Sequence, residues 1–468
     1  MILTSGESQL KVIQKLVDRG LVSITLFLIG AGYWYFFYFR GASAIAHADW
    51  VKEQVYLDTI RTSIETLRIP WAWASAFYHS VTLFMANPET VLTPDVFLLP
   101  FFSNNHFFYV HHLIFYGIGF WMVHRIAKEW QLTFPAYLLL YLLFNFNGYI
   151  SSHMSEGHYQ FVGYYLIPGV LYFLYKSNLD SAICRSDMIA GLLLGVLFAN
   201  GSFHLAIWLS IFIGFLFVFD KRVRFKLILV LVVGYALGAC RIVPALLYFP
   251  SISSKGLQSG YTDISLLLDS LTQLRGPGFG AATLLGWWEY SLYVGFTGLF
   301  LLIFGLGLFC RTALKYKRFN QQWAIALALM FLLSLGNTWG ILATLQLPFG
   351  SIERTSSRFI VIPFLVCVMV ATCAISNYLK RVDSRQLFIF FYILLGFIAI
   401  DLFYQLLNWS VAASELPSGG TKPIPKIEIV ENVSLQYKYI VSLAWVFSGL
   451  AFVASCLYLK SLSTKQKK

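Results

Sequence analysis

Charge is scarce in this chain. Only 12% of its 468 residues are Asp, Glu, Lys or Arg, against about 25% in soluble domains. With 58% apolar residues and a mean hydropathy of +0.68, this shortage excludes a soluble protein built around a single core. Cysteine is sparse too. Cys184, Cys240, Cys310, Cys367, Cys373 and Cys456 form no C-x-x-C pair, and most lie in or at the end of apolar runs. That pattern gives neither a disulfide framework nor a zinc site. A Walker loop, a G-x-S-x-G elbow, a dinucleotide fingerprint and an H-E-x-x-H helix are all missing, which argues against an ATP-driven pump or an NAD enzyme. Repeats of 20–50 residues are absent as well. The N-terminal stretch 6–19 is too polar and too long for a signal peptide's n-region, and no A-x-A-like site follows the next apolar run. Residues 1–20 are therefore expected to be a cytoplasmic amphipathic segment ahead of a retained first span.

What is present is a series of apolar runs, each near the ~20 residues a bilayer-crossing helix needs. They lie at 21–39, 107–126, 134–150, 159–175, 188–202, 204–219, 227–246, 291–310, 322–340, 359–379, 386–407 and 439–459. Backbone amides in lipid must pair internally, so each run is expected to be a helix. The expected fold class is an all-α polytopic membrane protein of about 12 transmembrane helices (range 11–13). Its modules would be 21–246 and 291–459, separated by a loop at 247–290 and ending in a basic tail at 460–468. With the N-terminus placed in the cytoplasm, every cytoplasmic loop is short and basic, and these segments hold most of the 34 Lys and Arg residues. The positive-inside rule then puts both termini in the cytoplasm of a plasma (inner) membrane. It also explains the net charge of +12 without nucleic acid as a partner.

The opposite side carries three long loops, about 40–106, 247–290 and 408–438. In the first, Val51, Val55, Ile60, Ile64 and Leu67 recur at roughly helical spacing. The spacing predicts a surface helix over 49–68 with aromatic neighbours suited to the headgroup zone. The chain's unusual polar residues gather on this same side. His47, Asp49, Glu53, Arg61 and Arg68 lie in the first loop, which Asn104, Asn105 and His106 close. His153, Glu156 and His158 lie in the second outer turn and His204 in the third. Arg241 sits near the outer end of its span, Trp288 and Glu289 lie in the fourth loop, and Glu353, Arg354 and Arg358 in the fifth.

Each candidate has more than one reading. Asp49 could cap the surface helix or act as a general base on an acceptor hydroxyl. His153, Glu156 and His158 could form a hydrogen-bonded turn, contact an anion or substrate, or hold a divalent cation. Arg354 and Arg358, four apart, could snorkel to the interface or clamp a phosphate, with Arg241 joining them. Trp288 and Glu289 could belong to an aromatic belt or bind a sugar by stacking and hydrogen bonding. Asp401, inside the eleventh run, is a candidate because intramembrane acids usually serve function.

His47-Ala48-Asp49-Trp50 soon after the first span, then a surface-helix loop with Pro88, Pro94 and Pro100, resembles the C-type (GT-C) superfamily of membrane glycosyltransferases. Gly157-His158 with Pro168, Trp288-Glu289-Tyr290 leading to Tyr293-Val294-Gly295, and Leu347-Pro348-Phe349 running to Arg354 and Arg358-Phe359 look like its bacterial YfhO-like branch. The resemblance implies an enzyme that takes a sugar from a polyprenyl-phosphate carrier on the extracytoplasmic face. It passes the sugar, with inversion, to a hydroxyl of a glycan, lipid or cell-wall polymer. Asp49 would then be the base. Arg354, Arg358 and Arg241 would hold the carrier phosphate, and His47, Glu53, His153, Glu156, His158, His204, Trp288 and Glu289 would line the sugar and acceptor sites. No cofactor is required beyond a possible divalent cation. The last outer loop is shorter than in many relatives, which leaves the acceptor open. A transporter or flippase for lipid-linked saccharides is the alternative; a scaffold protein is a third reading.

Overall fold

The computed structural model describes residues 20–41, 45–75, 81–179, 182–249, 260–279, 285–316, 321–338, 355–382, 384–415 and 417–465. The expected N-terminal amphipathic segment, Glu353 and Arg354 lie outside them. The described chain is mostly helical. Helix α1 (Leu21–Phe39) is followed by α2 (Trp50–Thr66) in the first long loop and by α3 (Asn104–Glu129). Next come α4 (Phe134–Asn145), α5 (Gly148–Ser155), α6 (Ile167–Leu179), α7 (Arg185–Ala199), α8 (Phe203–Phe219) and α9 (Arg224–Tyr248). A short α10 (Ile264–Thr272) precedes α11 (Gly295–Tyr316), α12 (Gln321–Leu333), α13 (Val361–Val382) and α14 (Arg385–Trp409). A brief α15 (Val411–Glu415) and the long α16 (Leu435–Lys465) complete the order.

Six described helical stretches are long and apolar enough to cross a membrane: Leu21–Phe39, Arg224–Tyr248, Gly295–Thr312, Ser356–Val382, Arg385–Trp409 and Leu435–Thr464. Phe203–Phe219 and Gln321–Leu333 are shorter apolar helices. By length and composition this is a multi-pass membrane protein.

Two apolar runs that read as single spans are interrupted. The run at 134–150 breaks between α4 and α5, where Asn147 caps α5 by accepting from the backbone amides of Tyr149 and Ile150. Its amide also donates to the carbonyls of Leu143 and Phe144 and to the Tyr164 hydroxyl, so the broken ladder is satisfied by one side chain. The run at 159–175 begins as 3-10 turns over Tyr159–Leu166 and becomes α6 only at Ile167. Pro168 fits there because the first helical turn needs no amide donor.

The two expected modules interlock. α4 packs on α13 and α14, and α16 returns to pack on α9 and α7. α7 and α9 approach closely because Gly191 has no side chain; a Cβ there would lie 2.8 Å from Val233 Cβ, a device common between membrane helices. One element departs from an all-α fold: β1 (Ala72–Ser75) pairs antiparallel with β2 (Val81–Leu83) and with β3 (Ile427–Val430). This small sheet ties the first long loop to the last.

Candidate functional site

The surface helix forms where the spacing predicts it, but it is not merely laid on a surface. Trp50, Glu53, Val55, Tyr56, Leu57 and Ile60 of α2 are buried against the rest of the protein. Its start is fixed by the turn after α5. The Asp49 amide donates to the Glu156 carbonyl at 3.2 Å, and the Trp50 indole N–H to the Ser155 carbonyl at 3.1 Å. Gly157 permits this approach. It has a φ of +85°, and a Cβ on it would lie 2.4 Å from the Trp50 nitrogen. Gly157→Ala is expected to lose about 1–2 kcal/mol to left-handed strain alone, and more to the clash. A fall in the thermal midpoint in detergent checks this; an unchanged midpoint would separate Gly157 from the docking.

Asp49 precedes α2, yet its carboxylate makes no capping bond. It faces outward, with its side chain 47% exposed. Lys52 Nζ lies 3.2 Å from it and His158 Nε2 3.8 Å. Lys52 also reaches Glu89 Oε2 at 2.7 Å and Glu53 Oε1 at 3.6 Å. His158 Nδ1 is 2.8 Å from His153 Nδ1, and the His153 ring stacks on Phe161. On the same Phe161 ring lies the Arg358 guanidinium, 5.2 Å from its centre. Arg358 in turn forms a two-pronged pair with Glu289, donating from Nε at 2.6 Å and from Nη2 at 2.5 Å. His204 stacks near Phe161 and Trp208 and acts electrostatically on Glu89 and His153. Stretches far apart in sequence thus meet at one end of the bundle.

Electrostatics gives these groups different roles. Burial pushes the Asp49 carboxyl up, but Lys52, His158 and Arg358 outweigh it and leave Asp49 below the ordinary carboxylate value. Burial lifts Glu53 to about 8, with Lys52 opposing and the Glu89 and Asp49 charges adding. Burial, then Asp49 and Glu289, lift Glu156 to about 8. Burial lowers His158 to about 4. Near neutral pH the site therefore holds an ionised Asp49, a neutral His158 and largely protonated Glu53 and Glu156. Carboxyls driven apart in this way can divide base and donor duties.

The raised Glu53 value makes stability depend on pH. Its contribution is full below the unfolded value of about 4.5 and is lost as pH rises toward about 8, at about 1.4 kcal/mol per pH unit. Glu53→Gln is therefore expected to unfold at a higher temperature than the parent at pH 8, with the gap closing toward pH 5. Equal gaps at both pH values would contradict this.

Several residues singled out in the sequence occupy other positions. His47 is buried with its Nε2 2.7 Å from the Ser414 hydroxyl, facing α15. Arg241 is fully buried. Its Nη2 donates to the carbonyls of Asn87 and Thr90 and to the Thr90 hydroxyl. It holds from behind the turn that presents Glu89 to Lys52, with no face open to a carrier headgroup. Trp288 is half-buried, its carbonyl accepting from Ser152. Asp401 lies against Gly295 at the start of α11. His153, Glu156 and His158 do not fit a metal: the two imidazoles bond each other, and among the described residues no group of three His, Cys, Asp or Glu side chains is placed to hold an ion. Lys52 and Glu89 are central here but carry no motif in the sequence. The i,i+3 spacing of Lys52 from Asp49 is the available signal; Glu89 offers only a Pro-containing turn. No family model matches the chain, and no curated protein or solved structure matches it.

Proposed function

We propose that this protein is a GT-C-like membrane glycosyltransferase. It moves a sugar from a polyprenyl-phosphate carrier to a hydroxyl of a glycan, lipid or wall polymer on the extracytoplasmic face of the plasma (inner) membrane. The observation that carries this reading is Asp49: an ionised carboxylate, 47% exposed, at a polar cluster furnished with Lys52, His158 and Arg358. Asp49 takes the acceptor hydroxyl's proton as its oxygen attacks the anomeric carbon. The bond from that carbon to the phosphate oxygen breaks on the opposite face, its electron pair stays on the phosphate, and the configuration inverts. Lys52 and Arg358 stabilise the charge that develops; Glu53 and Glu156, protonated and buried, add no negative charge to oppose it. Arg358 is already engaged by Glu289, so the carrier phosphate competes with Glu289 for it.

One observation favours a second reading. The interruptions at Asn147 and over Tyr159–Leu166 are of the kind that build transporter sites, which keeps a flippase for lipid-linked saccharides as the alternative. Nanodiscs separate the two, because they enclose no compartment. Purified protein in nanodiscs with radiolabelled polyprenyl-phosphate sugars and a membrane-extracted acceptor should yield labelled acceptor. Flipping of the donor in sealed liposomes, with no covalent transfer in nanodiscs, would replace the enzyme with the transporter.

A further inference from the structure

A second polar recess lies on another face of α2. Residues 49, 52 and 53 look toward the Asp49 cluster, whereas Gln54, Asp58 and Arg61, spaced at i, i+4 and i+7, lie along a different stripe. There they meet Ser103, Asn104 and Asn105 at the start of α3 around an open groove of about 340 Å³. That volume lies within the range of small-ligand sites. The last long loop closes one side: Ile424 lines the groove, and the Lys422 amide donates to the Ala46 carbonyl at 2.7 Å.

The groove's polar walls are held rather than loose. Gln54 donates to the Ile45 carbonyl and to Asn105 Oδ1, both at 2.7 Å. Arg61 donates to the carbonyls of Leu99 and Phe102 and to Asn104 Oδ1. Asn104 passes the chain on to Asp58 Oδ1 at 2.6 Å. This network decides what the groove can take. The single guanidinium has three acceptors and is balanced by the single carboxylate, so no surplus positive charge waits for a phosphate. What remains is a set with no net charge, of amide, hydroxyl, guanidinium and carboxylate groups, the complement of a polyhydroxylated ligand. Just before Ser103 in the chain, Phe101 and Phe102 are 78% and 38% exposed, apolar rings of the kind that sugar rings stack on.

We infer that this groove is a binding site for a neutral glycan, which in the transferase reading is the acceptor. Its role rests on that reading; its ligand class rests on the groove alone. Two arms keep these apart. In the first, saturation-transfer NMR on the full-length protein in nanodiscs uses cello-, malto- and chito-oligosaccharides of two to six units. Binding is expected for wild type and for Asp49→Asn. It should be lost in Asn105→Trp, which fills the groove, and weakened at least tenfold in Asp58→Ala. Absence of binding to the whole panel, or binding unchanged in both groove variants, overturns the inference.

The second arm is transfer kinetics. Asn105→Trp and Asp58→Ala should raise the acceptor KM tenfold or more while leaving kcat and the donor KM near wild type. An unchanged acceptor KM sinks the glycan site and leaves the transferase standing. Oligosaccharide binding that depends on the groove, in a protein that transfers no sugar, sinks the transferase and leaves the glycan site standing.

Discussion

Arg358→Ala is expected to destabilise the protein by about 3–5 kcal/mol, the cost of leaving one member of a buried ion pair alone. The pair qualifies because the side chains of Arg358 and Glu289 are only 10% and 5% exposed, and two bonds of 2.6 and 2.5 Å join them. Alanine also removes the guanidinium from the Phe161 ring. The test is a pair of variants. Replacing both partners with uncharged groups of similar shape, Arg358→Met with Glu289→Gln, should recover most of the loss, because no charge is then left without a partner. Thermal unfolding in one detergent reads both. If the single variant unfolds like wild type, Glu289 has another partner or reaches water. If the double variant is as unstable as the single one, the pair supplies packing rather than charge balance. The same variants bear on the donor. In the transferase reading Glu289→Gln removes the carboxylate that competes with the carrier phosphate for Arg358, so the carrier should bind more tightly than to wild type. Unchanged carrier affinity would separate Arg358 from the phosphate.

What can be read along the chain is local. The surface helix expected over 49–68 is present as Trp50–Thr66, because its apolar spacing needs no distant partner to be recognised. Asp49, His158, Glu289 and Arg358 gather through contacts: His158 Nε2 lies 3.8 Å from Asp49, and Arg358 pairs with Glu289. Pair-level detail is not legible. Lys52 binds Glu89 across 37 residues, and β1 finds β3 near the other end of the chain; neither short segment carries a signal of its partner. Arg241 reads as a headgroup ligand because an arginine near a span end usually faces lipid or a cavity. The backbone carbonyls that engage it come from a turn far away in sequence. The break at Asn147 has a signal, the Asn147-Gly148 turn pair, but the apolar residues on both sides make the run look continuous. Pro100, Asn104 and Asn105 mark the end of the first loop; that they end beside a groove with α2 depends on tertiary packing alone.

Asp49→Asn should leave the fold intact and remove the chemistry. The side chain is 47% exposed and makes no capping bond, so an amide of the same shape disturbs little. Lys52 keeps its 2.7 Å contact with Glu89. What is lost is the most exposed carboxylate of the cluster, ionised near neutral pH and open to an incoming hydroxyl; Glu89, also held below its ordinary value, is 30% exposed and tied to Lys52 at 2.7 Å. General-base catalysis contributes roughly 10²–10⁴-fold, and the neighbouring carboxyls are poor substitutes: Glu53 and Glu156 sit near 8 and are buried, and Glu89 is held by Lys52 at 2.7 Å. The deciding measurement is the initial rate of sugar transfer from a radiolabelled polyprenyl-phosphate donor in nanodiscs, wild type beside Asp49→Asn, with matched thermal midpoints and matched donor binding. The expected result is a rate at least about a hundredfold lower in the variant. A rate equal to that of wild type would contradict the assignment of Asp49 as the base.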